Sequence, residues 1–258
     1  NTAIVRTNFK NEKNEFEVLD FMTRYKLDDQ NFYSPPEIQR LIKPITGLPK
    51  IKVLYNPTLE YANGKTKTYE KEDFIVSVFD EASYETLFLY TDIEKKKILE
   101  NKEFELSKSV YLNLSYNEKI DLPSLSKSEE EFKKTQEYWL NWCKKSPSFK
   151  LYNKEITRSS ITLKLLTFEK TGAVLAAATT SIPETIGEVR NWDYRFCWIR
   201  DASMVIKIIA KLGHQRIVKN FIDFIVNLIP NKNEKLQIMY GIDGQKTLTE
   251  KILKHLSG

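Results

Sequence analysis

The chain contains few of the residues that build metal centres and disulfide frameworks. It has two cysteines and two histidines in 258 residues. Cys143 and Cys197 show neither metal-ligand spacing nor a CxxC partner, so we expect buried thiols and a reducing, cytoplasmic compartment. His214 and His255 lie far apart in the sequence, and polar roles at helix ends are expected for both. The sequence therefore predicts no metal site.

Long apolar runs and nucleotide-binding motifs are lacking as well. No apolar run approaches the roughly 20 residues of a membrane span, and no signal peptide opens the chain, so no membrane partner is expected. Without a P-loop or a dinucleotide fingerprint, no cofactor is expected either. The net charge of +5 comes mostly from lysine, which is mixed with glutamate, as in residues 94–102. This mixture is typical of a solvated surface and argues against a nucleic-acid partner.

The first half of the chain, residues 1–122, is predicted to form an antiparallel β-sandwich. Residues 4–9 and 15–21 flank a polar turn at residues 10–14, which is the pattern of a hairpin. Further runs of β-branched and aromatic residues predict strands at residues 51–61, 74–79, 86–91 and 110–116. Short strands at such spacing favour a sandwich.

The second half is predicted to be helical. Residues 123–156 form a linker with one helix, which Ser128 caps and which continues to about Cys143. From residue 157 onward, four helices are predicted. The first runs from Ser159 or Ser160 to Phe168, and the second runs from Trp198 to Leu212, with Gly213 after its end. The third runs from Gln215 to Ile229 and has two buried sides, and the last runs from Thr247 to Gly258. Because the loops carry the polar aromatic residues, the pattern indicates an α/α barrel. The expected fold class is α+β with two domains.

One stretch, residues 191–203 with the sequence NWDYRFCWIRDAS, concentrates the residue types of a sugar site. Aromatic rings stack on the C–H faces of a pyranose, and Arg and Asp bind its hydroxyl groups. The alternative is that the rings belong to the core and that Arg and Asp form an internal salt bridge. Composition alone does not separate the two interpretations.

These segments together resemble glycoside hydrolase family 15, the glucoamylases and related trehalases. The matching motifs are RSSITLKLL and TGAVLAAATTSIPE within residues 158–184, RNWDYRFCWIRDAS at 190–203, LQIMYGIDG at 236–244 and LTEKILKHLSG at 248–258. A looser match covers the N-terminal half. The resemblance implies a β-super-sandwich at residues 1–122, a helical linker at 123–156 and the first helices of a six-fold α/α barrel at 157–258.

The resemblance also implies a subsite for a terminal glucose. The pattern Tyr-x-x-x-Trp-x-Arg-Asp falls on Tyr194, Trp198, Arg200 and Asp201. By this resemblance Arg200 and Asp201 would bind hydroxyl groups of the sugar, while Tyr194 and Trp198 would form the walls. A buried Asp201 beside Arg200 would stay ionised. Asp243 would lie at the rim of the site, although a plain turn at Asp243-Gly244 is the alternative.

The chain departs from the family in its carboxylates. Inverting glycosidases use a general acid and a general base roughly 6.5–9.5 Å apart. Glu184, Glu188 and Glu250 lie outside the motif positions of that pair, and Glu184 is expected to be a cap or loop anchor. No catalytic residue is assigned. The chain is interpreted as an internal fragment that lacks the catalytic half of the barrel and is itself inactive.

The sequence therefore predicts a glycosidase whose parent protein releases glucose, with inversion, from the non-reducing ends of α-glucans or oligosaccharides, as a glucoamylase does. A trehalase on the same scaffold is the close alternative. A non-catalytic glucan-binding or regulatory module is the alternative from another class. Because an incomplete barrel exposes apolar helix faces, we also expect self-association into a homo-oligomer.

Overall fold

The computed structural model describes residues 1–28, 31–80, 84–229 and 235–256. The chain divides into two units by its internal contacts. The N-terminal unit is Ala3–Trp139, and the C-terminal unit is Leu140–Gly258 together with Asn1–Thr2. None of the described helices is long and apolar enough to cross a membrane. The three-part division at residues 122 and 156 stays a prediction.

The N-terminal unit is mainly β. Its strands are β1 (Val5–Lys10), β2 (Glu15–Phe21), β3 (Tyr25–Lys26), β4 (Phe32–Tyr33), β5 (Glu37–Thr46), β6 (Lys50–Ile51), β7 (Thr66–Glu70), β8 (Ile75–Phe79), β9 (Thr86–Thr91), β10 (Phe104–Glu105) and β11 (Val110–Tyr116). A 3₁₀ turn (Glu60–Ala62) and helix α1 (Lys95–Leu99) lie between strands, and helix α2 (Leu125–Cys143) follows them. Seven strands form one antiparallel sheet in the order β1-β2-β5-β11-β9-β8-β7, and β3–β4 and β6–β10 form short pairs.

The large sheet buries apolar side chains on both faces. Successive side chains of a strand point to opposite faces, so neighbouring residues enter different clusters. One cluster contains Val18, Ile42, Ile75, Leu89, Ile93, Ile98, Leu106, Val110 and Leu112. The other contains Leu19, Phe21, Leu41, Val76, Phe88, Tyr90 and Tyr111, with Phe132 of α2 packed against it. α1 therefore contributes to the core on one face, and α2 contributes on the other.

Most of the predicted strands are confirmed, including the hairpin of β1 and β2. The strand predicted at residues 51–61 is wrong: only Lys50–Ile51 is a strand, and Val53 and Tyr55 pack against the core without pairing. The prediction also missed β5, the strand between β2 and β11. Pro44, which cannot donate to a ladder, lies where the β2–β5 register shifts. The antiparallel sheet is confirmed, and the sandwich stays a prediction.

The start of α2 differs from its prediction. The helix begins at Leu125, and the Ser124 hydroxyl oxygen accepts a hydrogen bond from the Lys127 backbone N–H at 3.2 Å. Ser128 is buried within the helix and does not cap it. The cap therefore lies four residues earlier than expected.

The C-terminal unit contains the remaining elements, which are α3 (Asn153–Leu165), β12 (Cys197–Trp198), α4 (Ile199–Lys211), α5 (Gln215–Leu228) and β13 (Met239–Tyr240). The ends of α4 and α5 agree with the prediction to within a residue. Gly213 follows α4 at a φ of +84°, and the N–H groups of Gly213 and His214 bond the carbonyls of Ala210 and Ile209. This is the Schellman arrangement that glycine favours.

Three helix predictions in this unit need correction. α3 begins at Asn153, so Ser159 and Ser160 lie inside the helix and do not cap it. The Ser160 hydroxyl donates to the Thr157 carbonyl one turn earlier. α5 buries one face only, since Ile222 and Val226 are more than half exposed. Residues 247–256 form no helix, and the predicted end at Gly258 lies outside the described residues. The barrel itself stays a prediction.

Candidate functional site

Two very short strands bring two sequence motifs together. In β12 and β13, Cys197 pairs with Tyr240 and Trp198 pairs with Met239. The Ile199 N–H then donates to the Ile238 carbonyl at 3.0 Å. The segment at residues 191–203 therefore lies beside the segment at 236–244, immediately before the first turn of α4. Sequence reasoning missed this pairing because two-residue strands carry no periodic signal.

Three aromatic rings meet at this position. The Trp198 ring centroid lies 6.2 Å from that of Tyr194 and 6.0 Å from that of Trp192, in edge-to-face geometry. The Trp198 indole N–H donates to the Asp193 carbonyl at 2.8 Å. Tyr194 and Trp198 are half-buried, and Trp192 is 40% exposed. The structure therefore brings Tyr194 and Trp198 together and adds Trp192, which the prediction did not single out.

The Arg–Asp pair of the motif is accessible. Arg200 Nη2 lies 3.2 Å from Asp201 Oδ2, and the two side chains are 73% and 35% exposed. The expectation that Asp201 is buried is therefore wrong, and so is the alternative of an internal salt bridge. Asp201 lies in the first turn of α4, where the helix dipole favours a negative charge. Both groups are available to an incoming ligand.

A neighbouring ion pair, Asp193 with Arg195, stabilises the loop that precedes β12. Asp193 accepts two side-chain hydrogen bonds from Arg195, at 2.9 and 2.7 Å, and one from the Arg195 backbone N–H. These hydrogen bonds hold the pKa of Asp193 below its usual value. Because the Asp193 carbonyl also binds Trp198, this residue connects the loop to the ring cluster.

Glu184 anchors the loop, as predicted. Its carboxylate accepts the Trp192 indole N–H at 2.8 Å and lies 3.7 Å from an Arg190 guanidinium nitrogen. Its own N–H donates to the Arg190 carbonyl at 2.9 Å. Glu184 thus holds Trp192 in place.

Asp243 forms a turn. Its Oδ1 accepts the Gln245 N–H at 3.1 Å, and the Gly244 N–H donates to the Gly241 carbonyl at 3.0 Å. Within the described residues, no hydrogen bond or ion pair joins Asp243 to Arg200 or Asp201. The geometry agrees with the plain-turn interpretation, and a sugar-rim role for Asp243 stays a prediction.

The comparisons with known proteins agree with the motifs. Residues 150–257 match the family model for Glycosyl hydrolases family 15. A protein named Trehalase from Thermoplasma acidophilum is 30% identical, over 98% of this chain and 43% of its own length. A protein of the same name from Mycobacterium tuberculosis is 31% identical, over 85% and 34%. One from Mycolicibacterium smegmatis is 36% identical, over 68% and 28%.

These matches place the chain among the glycoside hydrolases. The chain belongs to glycosyl hydrolases family 15, which confirms the family predicted from the motifs. It spans less than half the length of the curated relatives named above.

Proposed function

We propose that this chain provides the sugar-holding part of a glycoside hydrolase that splits trehalose. The observation that carries the proposal is the Tyr194–Trp198 ring pair beside the accessible Arg200–Asp201 pair. The relatives named above are all called trehalases, and the first of them aligns along 98% of the chain. Their names favour trehalose over the α-glucans that the sequence analysis ranked first.

In this proposal the rings and the ion pair bind one glucose ring of trehalose. The faces of Tyr194 and Trp198 contact the apolar C–H face of the sugar. Arg200 donates to its hydroxyl oxygens, and Asp201 accepts from its hydroxyl groups in charge-assisted hydrogen bonds. A rigid pair of this kind holds the sugar in one orientation before the glycosidic bond is attacked.

The residues that cut the bond are proposed to lie elsewhere in the whole protein. Three carboxylates near the ring cluster accept hydrogen bonds from neighbouring side chains. Glu184 accepts from Trp192, Asp193 accepts from Arg195, and Asp201 accepts from Arg200. A general acid must be protonated near neutral pH, whereas the Arg195 contacts keep Asp193 ionised. In this proposal the described part of the site binds sugar, and the general acid and the general base are supplied from outside it.

Calorimetric titration of the 258-residue chain with trehalose tests the binding role. Arg200→Ala should weaken trehalose binding by about ten-fold or more, because hydrogen bonds from a charged donor are lost. Lys207→Ala is the matched control, since Lys207 is exposed on the same helix and lies outside the motif. Equal affinities of both variants would show that Arg200 does not hold the sugar.

The whole protein tests the reaction. An inverting enzyme of this kind should release one α-glucose and one β-glucose from each trehalose, which proton NMR distinguishes during hydrolysis. If the protein releases glucose from maltose or starch but not from trehalose, the glucoamylase type is supported instead. Binding without any hydrolysis would support the non-catalytic module.

A further inference from the structure

A polar cavity lies within the N-terminal unit, between the large sheet and α2. Its volume is about 250 Å³. Its buried wall consists of Glu37 on β5, Asn113 on β11, and Ser128 and Glu131 on α2. These four polar side chains are at most 6% exposed. Polar groups buried to this degree normally have hydrogen-bond partners, so their contacts show what the cavity can accept.

The buried wall presents acceptor atoms that lack partners. Asn113 donates from Nδ2 to Glu37 Oε2 at 2.8 Å, and its own Oδ1 is buried without a partner in the described structure. Glu131 uses Oε2 to accept from Gln39 and from the Thr23 hydroxyl. Within the described residues, no hydrogen bond reaches Oε1 of Glu37 or of Glu131. The cavity therefore offers the Oε1 atoms of Glu37 and Glu131 to a ligand that donates hydrogen bonds.

The charge around the cavity is mixed. Burial raises the pKa of Glu37, and the charge of Glu131 raises it further. Burial together with these two carboxylates raises the pKa of Tyr33, on the same wall, to about 12. The rest of the lining includes Lys119, Lys127 and Asp121, which are all exposed and bring two positive charges and one negative charge.

This mixed distribution favours an uncharged ligand. An anion would face the buried carboxylates, and a cation would meet Lys119 and Lys127. A hydroxyl group fits both sides, because it donates to a carboxylate or amide oxygen and accepts from an ammonium or a hydroxyl. The volume lies below the roughly 300–1,000 Å³ of sites for larger ligands, so the ligand is about the size of one sugar ring.

We propose that the cavity lined by Glu37, Asn113 and Glu131 binds a small neutral sugar or polyol. This site lies in the β-sheet unit and is independent of the proposed trehalose-binding loop. Sugar bound here would connect β5, β11 and α2 through hydrogen bonds that the protein alone leaves unmade.

Ile120 lines the cavity and provides a local probe. With isotope-labelled isoleucine methyl groups, and the Ile120 signal assigned through Ile120→Val, glucose or glycerol at millimolar concentration should shift that signal saturably. Asp201→Asn, in the other site, should leave this shift unchanged. The two proposals can therefore fail separately.

Variants in the exposed and the buried parts of the lining complete the test. Lys127→Ala should weaken the sugar binding seen at Ile120 several-fold, and Asn113→Leu about ten-fold or more. Lys133→Ala, an exposed lysine on the same helix outside the cavity, should have no effect. The proposal is overturned if neither sugar nor polyol shifts Ile120, if Ca²⁺ alone shifts it, or if Lys127→Ala and Lys133→Ala bind sugar equally well.

Discussion

His214 shows how strongly its surroundings can change one residue. Its ring is 6% exposed, lies parallel to the Trp142 ring with 3.9 Å between centroids, and shares a hydrogen bond of 2.9 Å with the Ser146 hydroxyl. Burial, aided by the charges of Lys145 and Lys164, lowers its pKa from 6.5 to about 4. The imidazole is therefore neutral in the folded protein near neutral pH. His214 lies directly before α5 but makes no side-chain capping hydrogen bond there, so the polar role at a helix end stays a prediction.

The stability of the protein should consequently depend on pH between about 6.5 and 4. The unfolded chain binds a proton at His214 below pH 6.5, whereas the folded protein does so only near pH 4. The free energy of unfolding is therefore highest above pH 6.5, and it falls by about 3 kcal/mol as the pH decreases from 6.5 to about 4. Urea unfolding of His214→Gln should show a weaker pH dependence in this range. His255→Gln, at the exposed second histidine, should match the parent, and identical pH profiles for both variants would contradict this account.

At the scale of elements, α4 shows that a helical pattern predicts a helix but does not predict which of its apolar residues are buried. A helical period through its sequence places Ile208 and Ile209 on one apolar stripe with Val205 and Leu212. In the structure Ile209 is fully buried, whereas Ile208 is 45% exposed. Periodicity identified the helix, but the neighbouring elements decided which apolar residues enter the core.

A pair of substitutions on this helix separates the two positions. Ile209→Ala should cost about 2–5 kcal/mol of unfolding free energy, because it leaves a cavity in a packed interior. Ile208→Ala should cost less than about 1 kcal/mol, since its side chain is already partly in water. Chemical denaturation of the two variants measures both values. A similar loss at both positions would mean that Ile208 is buried in solution.

At the scale of the whole molecule, the exposed apolar surface of α4 and α5 is the main feature. Four apolar residues on these helices are 45–63% exposed: Met204, Ile208, Ile222 and Val226. Apolar patches of this kind drive association between molecules.

We therefore expect the purified 258-residue chain to self-associate as its concentration rises. Light scattering coupled to size-exclusion chromatography should detect this, and the double substitution Ile222→Gln with Val226→Gln should shift the chain towards the monomer. Lys219→Gln, an exposed change on the same helix, serves as the control. A chain that stays monomeric at high concentration would rule out this surface as an association site.

Local patterns were sufficient for part of the fold. The β1–β2 hairpin, α4 and α5 follow from residues close together in the chain, and so does the glycine after α4. The β12–β13 pair was missed because pairing between distant segments defines these two-residue strands. β5 was missed because its first residues do not show the usual hydrophobic alternation, since Glu37 and Gln39 are buried and Ile38 is exposed. Long-range pairing leaves little trace in a single stretch of sequence.

The candidate sites show the same division between features that follow from local sequence and features that depend on long-range packing. The sequence by itself determined the family and the spacing of Tyr194 and Trp198, because the motif is contiguous. Only the tertiary structure decided that Arg200 and Asp201 are accessible and that Glu37, Asn113 and Glu131 share a cavity. Exposure and hydrogen-bond partners depend on which distant segments pack together, and that packing is a property of the folded chain.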